Sequence, residues 1–214
     1  MIVLVVTAYG LPGGLIDRFV ELNHAAARSF GASIVVVTDK PRIIDAPCVW
    51  RVNAPQMDIF SICRCSNIGI KKAQDLAAYT IVKTDIDCIL SVDAWLRIAQ
   101  VKSGCGCVFR YWQIDDYGDR DSATLDPRIM GTCAFTAKDW DKMGGYNADM
   151  QGYGYDDADI IYRAKAQKIK VEQYKKVAVY HIRHAEKHNR DTINPVMRGE
   201  NLITAGKSKK HLDK

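Results

Sequence analysis

The beginning of the chain predicts a strand, a helix and a second strand in close succession. Residues 2–8 are apolar and β-branched, as in a buried strand, and residues 15–30 have apolar side chains at helical spacing. Gly31 is suited to end that helix, and residues 33–38 form a second apolar run. Such a pattern usually forms a parallel βαβ unit. The sequence therefore predicts an α/β domain in which helices cover a mixed, mostly parallel sheet.

Strand and helix patterns continue through most of the 214 residues, a length that suits one domain. The exception is residues 113–128, which contain five Asp and no core periodicity; a loop of this length is usually functional or disordered. We divide the chain into a domain at 1–190, with halves at 1–103 and 104–190, and a tail at 191–214. The other predicted strands are 48–52, 81–90, 105–112, 129–136 and 177–181, and the other predicted helices are 61–78, 93–101 with Asp93 as its cap, 138–143 and 156–167.

No segment is long and apolar enough to span a bilayer, and the apolar start of the chain lacks the basic region of a signal peptide. The seven cysteines are therefore expected to be reduced, and the protein cytoplasmic. The Cys-x-Cys pairs at 63–65 and 105–107 leave a zinc site open, although zinc sites favour two intervening residues. The last eight residues have a net charge of +3. Such a tail is either solvated or weakly attracted to an anionic membrane or nucleic acid, so peripheral membrane contact stays open.

Two carboxylates, Asp85 and Asp87, lie in the strand predicted at 81–90. Side chains two residues apart in a strand point to the same face, so these carboxylates are expected close together. Like charges at that distance are unfavourable unless a cation or hydrogen-bond donors lie between them. Hard oxygen ligands select Mg²⁺ or Mn²⁺, which proteins commonly share with substrate phosphates. The motif is short, and a solvated turn after an ordinary strand is the alternative.

A second acidic group lies at 152–159, where the sequence is GYGYDDAD. Asp residues at the start of a helix cap it and favour its dipole, which accounts for part of the pattern. It does not account for aromatic rings between glycines. Those suit stacking on a sugar to which the backbone comes close. A carboxylate here can also accept a proton from a hydroxyl nucleophile.

His181 and His184 lie near the end of the last predicted strand. Two His within four residues favour a metal ligand more than a single His does, although a structural role is the ordinary alternative. Arg183, between them, can face a phosphate or an acidic neighbour.

Taken in order, these segments resemble the GT-A glycosyltransferases. RCSNIG at 64–69, followed by DID at 85–87, is similar to the R-x-x-N-x-G and D-x-D core of family 2 enzymes. Residues 131–163 resemble the carboxy-terminal motif of β-galactosyltransferases (family 7), with GYGYDDAD in place of G-W-G-G-E-D-D-D. HIRHAEKHNR at 181–190, followed by Asn-Pro at 194–195, is similar to the metal-binding motif of the same family. The resemblance implies the GT-A fold.

The resemblance also implies a role for each matching residue. Asp157 falls on the position of the catalytic base, and Asp156 and Tyr153 fall on positions that contact the acceptor. The implied ligands of Mn²⁺ (or Mg²⁺) are Asp87, His184 and His181, and the implied contacts of the nucleotide sugar are Thr7, Ala8, Tyr9, Asp39, Arg64, Asn67, Asp85, Ile86 and Gly154.

Several positions depart from the family pattern. His181 stands where the family has Met, so the sequence leaves open which of His181 and His184 is the main metal ligand. Tyr153 replaces a Trp, Tyr155 a Gly and Ala158 an acid, which leaves the sugar and the acceptor open but not the reaction type. The family's amino-terminal stem and membrane anchor have no counterpart, so the resemblance favours a soluble bacterial or phage-like enzyme over a Golgi enzyme.

The implied activity is the metal-dependent transfer of a hexose (Gal, Glc or N-acetylhexosamine) from a UDP-sugar to a hydroxyl acceptor such as a glycan. The related polypeptide N-acetylgalactosaminyltransferases retain the anomeric configuration and lack an acid at the position of Asp157, so this residue favours inversion. Residues 113–128 or 185–200 are candidates for a lid. The alternatives are the same chemistry on a modified base in DNA, a sugar nucleotidyltransferase, for which the turn at 10–14 lacks a basic residue, and a carbohydrate-binding module, which has no need of D-x-D.

Overall fold

The structure, a computed structural model, describes residues 1–11, 13–40, 46–115, 120, 123–126, 131–152 and 154–182. Tyr153, His184, the predicted tail at 191–214 and the lid candidate at 185–200 lie outside these residues. The helices are α1 Gly13–Ser29, α2 Ile62–Asp75, α3 Val92–Ala99, α4 Ala137–Met143 and α5 Asp156–Ala166. The strands are β1 Ile2–Thr7, β2 Ala32–Thr38, β3 Val49–Asn53, β4 Thr80–Thr84, β5 Cys88–Leu90, β6 Cys105–Ile114, β7 Thr124–Leu125, β8 Thr132–Thr136 and β9 Lys170–Ile182.

These strands form one sheet in the order β3-β2-β1-β4-β8-β6-β9-β5, with β7 paired to β6. The four strands from β3 to β4 run parallel, whereas β8 is antiparallel to both of its neighbours. The predicted α/β class is confirmed; the first half of the sheet is wholly parallel, and the second half is mixed, with β6 and β9 parallel. The division into halves at residues 103 and 104 stays a prediction. None of the described helices is long and apolar enough to cross a membrane.

Both faces of the sheet are covered by helices, because strand side chains alternate between the faces. In β1, Val3 and Val5 pack with residues of α2, α4 and α5, while Leu4 and Val6 pack with residues of α1 and α3. All seven residues of β2 are buried, as expected for a parallel strand between two helical layers. The site must therefore lie where the strands end.

Gly69 lets helix α2 lie directly against the sheet. A Cβ at this position would overlap the side chain of Val5 and lie 2.9 Å from Cγ2 of Val37. Gly69→Ala is expected to lower the free energy of unfolding by about 1–3 kcal/mol, because overpacking outweighs the better helix propensity of Ala. Gly14→Ala in α1 is the matched control, since a Cβ there meets no atom within 4 Å. Urea unfolding of both variants measures the difference, and equal stabilities would contradict the close approach.

Two local predictions in the middle of the chain were wrong. The strand predicted at 81–90 ends at Thr84, because neither neighbouring strand pairs with it beyond this residue. A turn follows, closed by the N–H of Cys88, which donates to the carbonyl oxygen of Asp85 at 3.2 Å. Helix α3 is capped by Ser91, whose hydroxyl oxygen accepts from a backbone N–H in the first turn, and not by Asp93.

The last strand is longer than predicted. β9 begins at Lys170 and not at residue 177, because it pairs in parallel with β6 from Cys105 to Ile114, with one shift of register between Phe109 and Tyr111. The first half of β9 is polar and partly exposed, so its own sequence does not indicate a strand. The short strands β5 and β7 were not predicted separately, since each depends on a distant partner.

Candidate active site

The carboxyl ends of β1 and β4 and the start of α5 surround a pocket of about 290 Å³. Because β1 and β4 are parallel neighbours, the residues that follow them meet at one edge of the sheet, where open α/β sheets bind ligands. Most of the predicted site residues that the structure describes line this pocket. They are Thr7, Asp85, Ile86, Asp87, Gly154, Asp156, Asp157 and His181.

Both carboxylate oxygens of Asp85 accept hydrogen bonds from buried side chains. Lys83 Nζ donates to Oδ1 and the Tyr111 hydroxyl donates to Oδ2, each at 2.8 Å. Burial, together with the charge of Asp85, holds the pKa of Tyr111 well above its ordinary value, so the phenol stays a donor. Gly131 leaves room for this pair, because a Cβ there would overlap both the Tyr111 hydroxyl and Asp85 Oδ2. Asp85 is therefore held in one orientation.

Asp87 lies close to Asp85, although both belong to the turn and not to a strand; one oxygen of each lies within 4.8 Å of the other. His181 reaches Asp87 from β9, with Nε2 3.2 Å from Asp87 Oδ2. Its Nδ1 lies 3.1 Å from the amide oxygen of Gln113, and its ring stacks on Tyr111. Burial alone would lower the pKa of His181, but hydrogen bonding and charge from Asp87, with the charge of Asp85, raise it above the usual value.

Asp85 and Asp87 offer a pair of carboxylates of the kind that Mn²⁺ or Mg²⁺ binds, and His181 adds an imidazole beside Asp87. Carboxylate oxygens are the preferred ligands of both ions, and imidazole is the commonest metal ligand in proteins. Cys88 Sγ also lies within 4.8 Å of the two carboxylates. Burial raises the pKa of Cys88 well above its ordinary value, and a protonated thiol is a poor ligand. His184 lies outside the described residues, so the choice between the two His stays open.

Asp156 and Asp157 bring the start of α5 to the same pocket. Asp156 Oδ2 lies 3.9 Å from Lys83 Nζ. Burial and the neighbouring charge of Asp156 raise the pKa of Asp157 well above its usual range, while Lys83 opposes this. Asp157 Oδ1 is buried and accepts no hydrogen bond from any residue that the structure describes. A half-buried carboxyl with a raised pKa, and with one buried oxygen that no described residue pairs with, is a candidate general base.

The remaining acidic residue of this segment is structural. Asp159 is fully buried and pairs with Nε of Arg163 at 2.8 Å, one helical turn further on. The expectation that Asp side chains cap α5 was wrong, because Tyr155 occupies the N-cap position at φ 64° and no side chain caps the helix. Asp156 and Asp157 instead form the first turn of α5, where the helix dipole still favours their charge.

The end of β1 holds three of the residues predicted to contact the nucleotide sugar. Thr7 lines the pocket, and its buried hydroxyl has no hydrogen-bond partner within the described chain. Ala8 is fully buried, and Tyr9 stacks on Phe60 with ring centroids 5.2 Å apart. Asp39, at the end of β2, accepts from the N–H of residue 10 at 2.9 Å. Of Thr7, Ala8, Tyr9 and Asp39, the pocket as described includes Thr7 alone.

Arg64 and Asn67 lie on α2 away from this pocket. The Asn67 amide both donates to and accepts from the backbone of Tyr146, each at 2.8 Å. Arg64 Nε donates to the carbonyl oxygen of Ala148 at 3.0 Å, and the side chain lines a separate pocket. Both side chains thus fasten α2 to the segment that precedes α5. Their contact with a nucleotide sugar stays a prediction that this geometry does not support.

The sequence did not predict Lys83 or Tyr111 as site residues. Lys83 interrupts an apolar strand two residues before Asp85, a spacing that places both on one face in a regular strand, so the sequence did contain a signal. Tyr111 reaches Asp85 only because β8 brings β6 to this part of the sheet. No local pattern indicates that pairing.

The fold is that of the GT-A glycosyltransferases, as comparison with solved structures shows. GalNAc-T7 with UDP, GalNAc and Mn²⁺ gives a TM-score of 0.71 at 15% identity, over 97% of this chain and 48% of that one. S. aureus TarS 1–349 with UDP-GlcNAc gives 0.68 at 12% identity, over 99% and 69%. The catalytic domain of Drosophila β1,4-galactosyltransferase 7 with xylobiose gives 0.59 at 16% identity, over 88% and 73%.

A family model described as the N-terminal domain of galactosyltransferase matches residues 127–188. This match covers β8, α4, α5 and β9, the part of the chain that resembles the β-galactosyltransferase motifs. No curated protein matches the sequence. The chain spans about half the length of the GalNAc-T7 chain. The predicted resemblance to GT-A glycosyltransferases is confirmed.

Proposed function

We propose that this protein transfers a hexose from a UDP-sugar to a hydroxyl acceptor, with a divalent metal ion and with inversion at the anomeric carbon. The observation that carries the proposal is the buried Oδ1 of Asp157, which has no hydrogen-bond partner among the described residues and lies in the same pocket as the neighbouring carboxylates Asp85 and Asp87. The complexes of similar fold support it, since two of them contain UDP or UDP-GlcNAc. The acceptor we propose is a glycan.

The donor site is assigned to the acidic turn after β4. Asp87 and His181, with Asp85 beside them, would hold Mn²⁺ or Mg²⁺; such an ion, when bound, neutralises the charge that develops on a leaving diphosphate. Lys83 and Tyr111 fix the orientation of Asp85. The hydroxyl of Thr7, which forms no hydrogen bond within the described part of the chain, is proposed to supply a hydrogen-bonding group at the end of β1.

The acceptor site is assigned to the start of α5. Asp157 would accept the proton of the acceptor hydroxyl as its oxygen attacks the anomeric carbon, while the nucleoside diphosphate leaves from the opposite face. A carboxylate suits this role, because it can take a proton directly from a hydroxyl within hydrogen-bond reach. Asp156 and Tyr153 are proposed to contact acceptor hydroxyls. One displacement inverts the configuration, so an α-linked donor gives a β-linked product.

A panel of nucleotide sugars, each assayed for release of UDP with Mn²⁺ and with EDTA, tests this proposal. We expect one or a few UDP-hexoses to turn over, only with the metal ion, and faster when a glycan acceptor is added. Proton NMR of the product then gives the anomeric configuration. Turnover that persists in EDTA would contradict the metal site, an α-linked product would contradict inversion, and no release from any UDP-sugar would contradict the activity.

A further inference from the structure

Lys83 is a buried lysine inside an acidic pocket. It lies in β4, all five residues of which are buried, and its side chain is only 3% exposed. Nζ donates to Asp85 Oδ1 at 2.8 Å and to the carbonyl oxygen of Gly131 at 3.3 Å. Its third neighbour is Asp156 Oδ2 at 3.9 Å. These partners lie on the DxD turn, on the segment before β8 and on α5, so one ammonium group joins three separate parts of the site.

The core does not need a charge at this position. Burying an ammonium group is costly, and a hydrophobic side chain of similar volume often serves stability as well or better. Burial by itself would lower the pKa of Lys83, but Asp85, Asp157 and Asp156 outweigh it and hold the pKa well above the usual value. Nζ lies 2.8 Å from Asp85 Oδ1 and 3.9 Å from Asp156 Oδ2, so the ammonium group stands between the two acidic segments. These carboxylates of the pocket account for a lysine at this position.

The hydrogen bonds of Lys83 are made to the protein itself. An ammonium group has three N–H bonds; two of them donate to Asp85 Oδ1 and to the carbonyl oxygen of Gly131, and Asp156 Oδ2 lies at ion-pair distance, 3.9 Å from Nζ. The charge therefore acts on the carboxylates, which would otherwise repel one another at the mouth of the donor site and at the start of α5.

We propose that Lys83 is a positioning residue for glycosyl transfer, whose ammonium group holds Asp85 of the DxD turn and Asp156 of the acceptor side in a fixed relation. The inference rests on the proposed function of the pocket. It explains how two acidic segments that are 71 positions apart along the chain (156 − 85) are held close together. It also gives a reason for the lysine two residues before the DxD motif.

The kinetic test compares Lys83→Met and Lys83→Arg with Lys71→Met, a matched loss of an exposed lysine on α2 whose partner is Asp75. We expect Lys83→Met to lower kcat at least about tenfold per folded molecule, Lys83→Arg to recover part of that loss, and Lys71→Met to change nothing. A purely structural role would lower the melting temperature but leave kcat per folded molecule unchanged. That result, with an active wild-type protein, would overturn the inference.

A second test needs no substrate, so it separates this inference from the proposed function. Urea unfolding of Lys83→Met, Asp156→Asn and the double variant forms a double-mutant cycle. We expect the coupling between the two substitutions to change the unfolding equilibrium constant about fivefold or more, because the effects of substitutions at residues in contact are not additive, whereas those at distant residues are. The double variant lacks both the ammonium group and the Asp156 charge. If Lys83→Met alone does not fold, we therefore expect the double variant to fold, and its urea unfolding still tests the inference. Additive effects, or a double variant that also fails to fold, would overturn the inference, whether or not any UDP-sugar turns over.

Discussion

Asp157→Asn is expected to lower kcat by about 10²–10⁴-fold, the usual contribution of a positioned general base. The substitution keeps the shape of the side chain but removes its ability to accept a proton. Affinity for a UDP-sugar in the presence of Mn²⁺ should stay close to that of the wild type, because the donor is assigned to Asp85, Asp87 and His181. Steady-state kinetics at saturating donor measure the first effect, and calorimetric titration with the UDP-sugar measures the second.

Asp149→Asn is the matched control for this variant, because Asp149 is exposed on the loop that precedes α5. It should leave both kcat and donor affinity unchanged. Near-normal turnover of Asp157→Asn would show that another group removes the proton. A loss of donor affinity equal to the loss of kcat would instead place Asp157 against the donor sugar.

The same substitution is expected to stabilise the folded protein. The pKa of Asp157 is raised above its unfolded value by burial and by Asp156. Such a carboxyl adds stability at pH values below its unfolded pKa, and that contribution is lost as the pH rises through the folded pKa. Asn does not ionise in this pH range, so the variant does not lose this contribution to stability. The melting temperature of Asp157→Asn should exceed that of the wild type by about 2–4 °C, which corresponds to roughly 1 kcal/mol, and the difference should grow as the pH rises. A melting-temperature difference that becomes smaller as the pH rises would contradict the raised pKa of Asp157.

The parts of the fold that local pattern determines were predictable. The strand, helix and strand at the start of the chain follow from apolar spacing, and φ 61° at Gly31 confirms the predicted end of α1. The polar half of β9 was not predictable, because its strand conformation depends on pairing with β6. The end of β4 was missed for the same reason, since it depends on where β1 and β8 stop pairing.

The site shows the same division between local and long-range information. The sequence predicted that Asp85, Asp87, Asp157 and His181 converge, and the pocket that they line agrees with this. The geometric reason was different, because the two Asp of the DxD motif are close across a turn and not along a strand. Asp85 is held by Tyr111, which comes from the more distant strand β6, and by Lys83, which the sequence analysis did not single out. The motifs thus indicated residues that line the pocket, but not the side chains that hold Asp85 in place.

Asp87→Ala is expected to weaken the binding of Mn²⁺ by more than the roughly 10- to 100-fold that follows from losing a group that only supports a ligand. Asp87 belongs to the carboxylate pair and its Oδ2 lies 3.2 Å from His181 Nε2, so the substitution removes one proposed ligand and the hydrogen-bond partner of another. Without a bound cation, the remaining carboxylates Asp85, Asp156 and Asp157 repel a diphosphate. Affinity for the UDP-sugar should therefore fall to the level that the wild type shows in EDTA.

Calorimetric titration with Mn²⁺ alone, and then with the UDP-sugar at saturating Mn²⁺, measures both effects. Asp93→Ala is the control, because Asp93 is an exposed residue in the first turn of α3 and lies outside the pocket. Each of the two variants removes one Asp carboxylate, and the two positions are six residues apart (93 − 87). An equal loss of Mn²⁺ affinity in both variants would therefore reflect net charge and not coordination. Wild-type affinity for Mn²⁺ in Asp87→Ala would mean that the ion binds elsewhere. The acidic turn after β4 would then need another explanation for its two adjacent charges.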